Sequence, residues 1–458
     1  MKKIFFRKLQ RAFALLIMCF PVVWGGCTNY LSIKPDQSLT VPQKGEDLMA
    51  LLNDVAVMNY DYAGGLAELG ADNVFIPYTS WTSIFNEMDR MTYVWDRTPV
   101  NLTYWNPGYR RILACNTVLD LLDDIRFTTD QERDEVQGVA KFFRGYTFFD
   151  LVQVFSVAYD EETAKDRLGI ALRLSSDVSL KSTRASLQET YEQIIADLTH
   201  ACALLPDKTP MYPTRPNRFA AYGALARVYL SMGRYDEAKT YADSCLVGQS
   251  YLLDYNDYAA ESNYPFARFN EEVIFYSQLR SNSTMLSESR ARVSPQFLES
   301  YEDSDLRKEL FFKIMPDGLS AFTGDYGQNS NATKFNGLTK AEILLIRAEC
   351  LAREGRLDDA LSALNGLLTH RYDRDLYTSI GNISDRNELL KKILEERRKE
   401  LIYRGLRWGD LRRLEAEFVS PVVRDWEEVE YKKRREELLD FAFLIPTTII
   451  EYSGMEQN

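Results

Sequence analysis

The residue types that most often carry chemistry are scarce in this chain, and their spacing narrows what it can do. Only two histidines occur, His200 and His370. So distant a pair cannot build a His-rich zinc site, and it argues against a Ser-His-Asp hydrolase, which needs an imidazole beside its nucleophile. Cys115, Cys202, Cys245 and Cys350 sit far apart inside helical patterns, without C-x-x-C spacing. They read as buried small hydrophobes rather than disulfides or metal ligands. Acids number 67, yet no recognisable catalytic motif gathers two of them. A carboxylate-pair hydrolase needs two carboxyls about 5 to 10 Å apart around one bond. The run Glu395, Glu396, Arg397, Arg398, Lys399, Glu400 reads as a solvated or bridge-laced helix face. Asp303 and Asp305 lack the further ligand spacing a calcium loop needs. No catalytic residue, metal or cofactor is expected. Aromatics are the surplus: residues 60–109 hold 11 in 50 positions, among them Trp81, Trp95 and Trp105.

The elements that would position these rings are mainly helical. Capping-box starts recur at Thr129-x-x-Glu132, Ser186-x-x-Glu189, Thr339-x-x-Glu342 and Asp385-x-x-Glu388. In each, the first side chain should accept from the N3 amide while the acid reaches back to the cap. The segment Tyr222, Leu225, Ala226, Tyr229, Gly233, Ala238 matches the large and small positions of a tetratricopeptide helix pair. Small Ala226 and Ala238 would let two helices approach, and Gly233 would end the first in a left-handed conformation. Ala348, Leu351, Gly355, Ala360 and Leu364 repeat the pattern, and even the turns match, Gly-Arg-Tyr-Asp-Glu-Ala against Gly-Arg-Leu-Asp-Asp-Ala. Weaker helix pairs are expected around 106–155 and 186–230. Between them run long irregular stretches, chiefly 60–105 and 250–340, where only Glu272–Leu279 reads as a strand. The fold class is therefore mainly α: a single helical body of tetratricopeptide-like pairs, with long irregular loops and a few short strands.

The N-terminus speaks to location. Lys2, Lys3, Arg7, Lys8 and Arg11 precede an uncharged run from Ala12 to Val23, too short to span a bilayer but right for a signal peptide. Trp24-Gly25-Gly26-Cys27 resembles a lipobox, in which Cys27 is diacylated and becomes the first mature residue. Two acyl chains suffice for stable anchoring. Residues 1–26 are thus a lipoprotein signal peptide, 27–45 an extended arm, and 46–458 the helical body. Within the body, 46–250 forms an N-terminal part with a loop region at 60–105, and 251–458 a C-terminal part. The chain carries 55 basic against 67 acidic residues, a formal −12, so nucleic-acid binding by counterion release is not expected.

Several stretches together resemble the SusD/RagB family of Bacteroidetes outer-membrane lipoproteins. They are the mature start Cys27–Asp36, the aromatic helix Glu135–Phe155, the repeat helix Arg218–Leu230, the block Glu396–Arg413 with its Gly-Leu-Arg-Trp-Gly-Asp-Leu-Arg run, and the closing Phe443-Leu-Ile-Pro446 through Glu451 to Gln457-Asn458. The resemblance runs from Cys27 to the C-terminus in the right order. It implies a nutrient-binding protein at the outer face of the outer membrane, partnered by a SusC-like TonB-dependent transporter. The usual ligand is an oligosaccharide; one branch handles peptides.

Sugars present flat C–H faces and hydroxyls, so binding them takes aromatic platforms and a few polar groups. On that reading Asp72, Asn73, Tyr78, Trp81, Tyr93 and Trp95 are the candidate ligand-binding residues. Trp81 and Trp95 sit among Thr, Ser, Asn and Asp, which favours exposure, whereas Trp105 is on helical spacing with Tyr109 and Ile112 and reads as core. Trp408, in the Arg-Trp-Gly-Asp run, is core by what the resemblance implies. Residues 315–336, with Phe322 and Tyr326, read as a mobile surface loop rather than a second wall. The expected function is non-enzymatic capture of oligosaccharides for the transporter. The alternatives are peptide capture on the same architecture and an all-helical surface glycosidase.

Overall fold

The computed structural model describes residues 42–248, 251–259, 262–328, 333–426 and 429–458. The signal peptide of 1–26, the lipidation at Cys27 and the arm up to residue 41 lie outside the described residues. Gly45, assigned above to the arm, already opens helix α1 (Gly45–Leu52). Helix α2 (Gly64–Gly70) is buried along its whole length, and the short α3 (Tyr78–Thr82) and α4 (Glu87–Tyr93) follow it.

The expected helix pairs form. Helices α5 (Asn106–Leu121) and α6 (Asp130–Phe155) pack together, and α6 packs on α7 (Leu187–Leu204). Helix α6 buries aromatic residues around much of its circumference, which suits a central helix covered on several sides. The two repeats are α8 (Arg218–Ser231) with α9 (Tyr235–Val247), and α10 (Lys340–Arg353) with α11 (Leu357–Leu368). Helix α9 packs on α10 and joins them. Their turns match in geometry as well as in sequence. Gly233 and Gly355 take φ of +73° and +81°, a region that only glycine enters without cost. The next amide, of Arg234 or Arg356, donates to Tyr229 O or Leu351 O at 2.9 Å in each case.

All four cap residues accept the expected N3 amide, but only Ser186 closes a full box with its glutamate. Glu132 instead accepts the amide of Thr128 at 2.8 Å. Glu342 is taken by a buried ion pair with Arg227 at 2.7 Å. A charged partner outcompetes a cap amide for the same carboxylate.

Five antiparallel two-stranded pairs lie among the described residues. The expected strand appears as Val273–Phe275, paired with Leu338–Thr339. The hairpin of Val422–Asp425 with Glu430–Lys433 falls in a charge-dense stretch where no strand was expected. Three hydrophobic clusters build the interior. The first lies among α1, α2 and α5–α9, the second under the 69–94, 253–335 and 402–431 segments, and the third among α10, α11 and α12 (Arg386–Glu400). Trp105 and Trp408 are core, as expected. So are the four cysteines, all free; burial pushes the Cys115 and Cys202 thiols up to about 12.

The charge run of α12 is bridge-laced, and Glu396, Arg397, Lys399 and Glu400 are buried while Glu395 stays exposed. Arg307 donates to Asp305 and Glu396, and Arg371 pairs with Glu272 and Glu400 at 2.9 Å. Such pairs add little net stability, because desolvation offsets much of the Coulomb gain.

Candidate functional site

The chain leaves α2 in extended form, and Val74–Phe75 pairs with Arg292–Val293. Pro77 then sets the start of α3. The polar residues around the rings prove to be structural. Thr82 and Ser83 hydroxyls donate back to Tyr78 O and Ser80 O, and Asn86 caps α4 by accepting from Met88 N at 3.0 Å.

These short helices deliver their rings to a single partner, Trp426, at the end of the Val422–Asp425 strand. Trp81 stacks on Trp426 with centroids 4.8 Å apart, and Tyr78 and Tyr93 approach it at 5.6 and 6.0 Å. Each indole N–H is satisfied internally: Trp81 donates to Arg90 O and Trp426 to Ile76 O, both at 2.9 Å. The Tyr93 hydroxyl accepts from Ile76 N and donates to Val74 O.

The expectation that Trp81 and Trp95 are exposed is corrected. Trp81 is 8% exposed, while Tyr93 and Trp95 are fully buried. Trp95 donates to Gly70 O at 2.9 Å, and with Tyr93 it flanks the guanidinium of Arg424. Asp72 and Asn73 are spent on arginines. Asp72 pairs with Arg407 at 2.8 Å and Arg398 at 3.1 Å, and Asn73 accepts from Arg398 Nε at 2.9 Å. Burial works against the Asp72 charge, but Arg398 and Arg407 outweigh it and hold the carboxyl below the usual range. Of the six candidates only Tyr78, 47% exposed, presents a ring to solvent. Phe322 and Tyr326 are buried, so 315–336 offers neither of these rings as a second wall.

Neighbours missed in the sequence complete this surface. Phe85 is fully exposed and Met88 partly so, on the same segment as Tyr78. Arg290 donates to Ser80 O and Ser83 Oγ at 3.1 and 2.8 Å, clamping the 282–290 loop onto α3. Within that loop Ser283 and Thr284 both take positive φ, strain of the kind that accumulates beside functional surfaces. Gly65 of α2 lies so close to the same stretch that a Cβ would fall 1.5 Å from Arg280 O. The arrangement is an aromatic wall beside which the Tyr78 and Phe85 rings are open to solvent. The buried face of this strand carries Val422, Arg424 and Trp426, so hydropathy does not alternate along 422–426 and no local pattern marks Trp426.

A family model described as "Starch-binding associating with outer membrane" matches residues 29–230, and the SusD family model matches residues 321–439. The chain belongs to the SusD family. Among curated SusD relatives, SusD-like protein P2 of Formosa agariphila is 24% identical over 378 residues, 68% of this chain and 71% of its own. SusD-like protein P38 of the same organism is 20% identical over 387 residues, 69% and 73% of the two chains. In fold, a SusD superfamily protein from Bacteroides thetaiotaomicron superposes with a TM-score of 0.74 at 21% identity, covering 91% of this chain and 99% of that one. A putative sugar binding protein from Bacteroides vulgatus gives 0.73 at 21% identity, with coverage of 92% and 99%. SusD-family proteins are outer-membrane-associated binding proteins, and no described helix here is long and apolar enough to cross a membrane.

Proposed function

We propose that this SusD-family chain is a cell-surface lipoprotein, anchored through Cys27, that captures oligosaccharides and delivers them to a SusC-like TonB-dependent transporter without altering them. The observation that carries the reading is the Tyr78 ring, held at the surface by a Trp81–Trp426 stack whose own polar atoms are satisfied internally. A ring fixed before the ligand arrives loses little entropy on binding, so even a weak C–H stacking contact is realised in full. Tyr78 touches the sugar, while Trp81 and Tyr93 act through Trp426. Trp95, Asp72 and Asn73 hold the supporting loop against Arg424, Arg398 and Arg407.

The buried acids of α12 are committed to arginines, which disfavours the glycosidase alternative at that cluster. Calorimetry against a panel of neutral oligosaccharides, with a reducing-end assay on the same samples, tests the proposal. Binding without new reducing ends is expected; cleavage would overturn the non-enzymatic reading.

A further inference from the structure

Away from Tyr78, the segment between α7 and α8 forms a proline-rich loop over 206–217. Its far side is tied to the body: Tyr276 N donates to Pro213 O at 2.8 Å, and Asn59 Nδ2 donates to Thr214 O at 2.9 Å. Its tip is not, and Met211 and Tyr212 stand exposed there. The Tyr212 ring leans on Phe269, which packs edge-on against Tyr276 at 4.8 Å. Phe269 takes a left-handed φ of +62°, and the Arg268 guanidinium lies over both rings at 4.5 and 4.9 Å. Tyr212 is thus a second exposed ring on a prebuilt aromatic support.

Beneath it is a cleft of about 660 Å³ between this loop, the end of α1 and the start of α6, a size common for small-ligand sites. The side chains of Asn53, Gln131 and Thr209 face it and hold no hydrogen bond among the described residues. Arg215, whose side chain is about a third exposed, forms an ion pair with Glu135 at 3.8 Å, and its Nε makes no hydrogen bond among the described residues. The exposed part of the Arg215 guanidinium can donate to a ligand hydroxyl at the cleft wall. The charges at the wall balance, Glu135 and Asp207 against Lys208 and Arg215, so neither an anion nor a cation is favoured over a neutral molecule. Another cleft, of about 580 Å³ and floored by the Trp105–Tyr109 stack, is a poorer candidate for a hydroxylated ligand. There Arg173 and Asn116 are already spent on backbone oxygens of the 173–182 loop.

We infer that the cleft beneath the 206–217 loop is a second binding site for a neutral oligosaccharide, in which Tyr212 stacks on a sugar ring while Gln131, Asn53 and Arg215 meet its hydroxyls. The inference shares the ligand class of the proposed function but none of its residues, so either can fail alone. Two sites on one rigid body raise the effective concentration of a long glycan at each.

Hydroxyl-radical footprinting of the full-length protein in detergent, with maltoheptaose, xylohexaose, mannohexaose and an acidic galacturonic hexasaccharide as probes, tests it. At least one neutral probe is expected to slow Tyr212 oxidation threefold or more, in the wild type and equally in Tyr78→Ala. In the Tyr78→Ala background, Tyr212→Ala and Gln131→Ala should each weaken binding of that probe at least tenfold while circular dichroism is unchanged. Protection of Tyr212 by no neutral probe, or by the acidic one alone, overturns the inference. So does protection that disappears in Tyr78→Ala. Protection of Tyr212 without any effect at Tyr78 would leave this site standing and remove the first.

Discussion

Tyr78 and Trp426 do different work in one stack, and substitution separates them. Tyr78 is the open face, so Tyr78→Ala should reduce glycan affinity by about 10- to 30-fold, the size of a typical aromatic hot spot. Because the ring is half exposed, stability should change by no more than about 0.5 kcal/mol. Trp426 is the support, buried against Trp81 and bonded to Ile76 O. Trp426→Ala should therefore cost about 3 kcal/mol or more in stability as well as affinity. Urea melts beside calorimetry read both quantities. Equal losses of affinity and stability from both substitutions would mean that Tyr78 belongs to the core and not to a site.

Among the elements, α2 carries the clearest response to pH. Asp150 accepts the amides of Ala63 and Gly64 at its start, and Glu68 near its end accepts from Gly405 N at 2.8 Å. Burial pushes Glu68 up to about 7 and Asp150 up to about 6, against the amides that favour their anions. A carboxyl raised in the folded state binds its proton there before the unfolded chain does. The folded state is therefore penalised progressively as pH rises from about 4.5 through the folded values, so stability should fall between pH 5 and 8. Glu68→Gln, which keeps an acceptor for Gly405, should flatten that slope by about 2 kcal/mol across the window; an unchanged slope would show that Glu68 stays ionised. The second repeat and the turn of the first offer a contrast between two glycines with nothing within 4 Å of an added Cβ, Gly366 inside α11 and Gly233 in its turn. Gly233→Ala should destabilise by about 1 kcal/mol, since alanine resists the left-handed region. Gly366→Ala, on the exposed face of α11 and without a positive φ, should stabilise by about 0.5 kcal/mol. The helix pairs and their turns were legible because apolar periodicity and a terminal glycine are local signals. The 422–433 hairpin was not, because its first strand reads Val-Val-Arg-Asp with Arg424 on the buried face, so hydropathy does not alternate along it.

For the whole molecule, the SusD-type body was readable and its surface was not. The polar neighbours of Trp81 and Trp95 looked like solvent exposure, yet they cap α4 and back-bond within α3. The residues that bury Asp72, Asn73 and Trp81 arrive from Arg398, Arg407 and Trp426, more than 300 positions along the chain. No local pattern reports a partner that distant. Tyr78 survives as the exposed member of the predicted set, and Tyr212 and Phe85 enter only through the fold. The central claim is capture of glycan without chemistry. It is tested most directly by isothermal calorimetry of the soluble protein beginning at Thr28, against plant, host and microbial oligosaccharides, with reducing ends assayed in the same cells. The account predicts saturable binding of at least one neutral oligosaccharide, no new reducing ends, and a loss of at least tenfold in affinity with Tyr78→Ala. Cleavage of the ligand, or binding of peptides in place of every sugar, would contradict it.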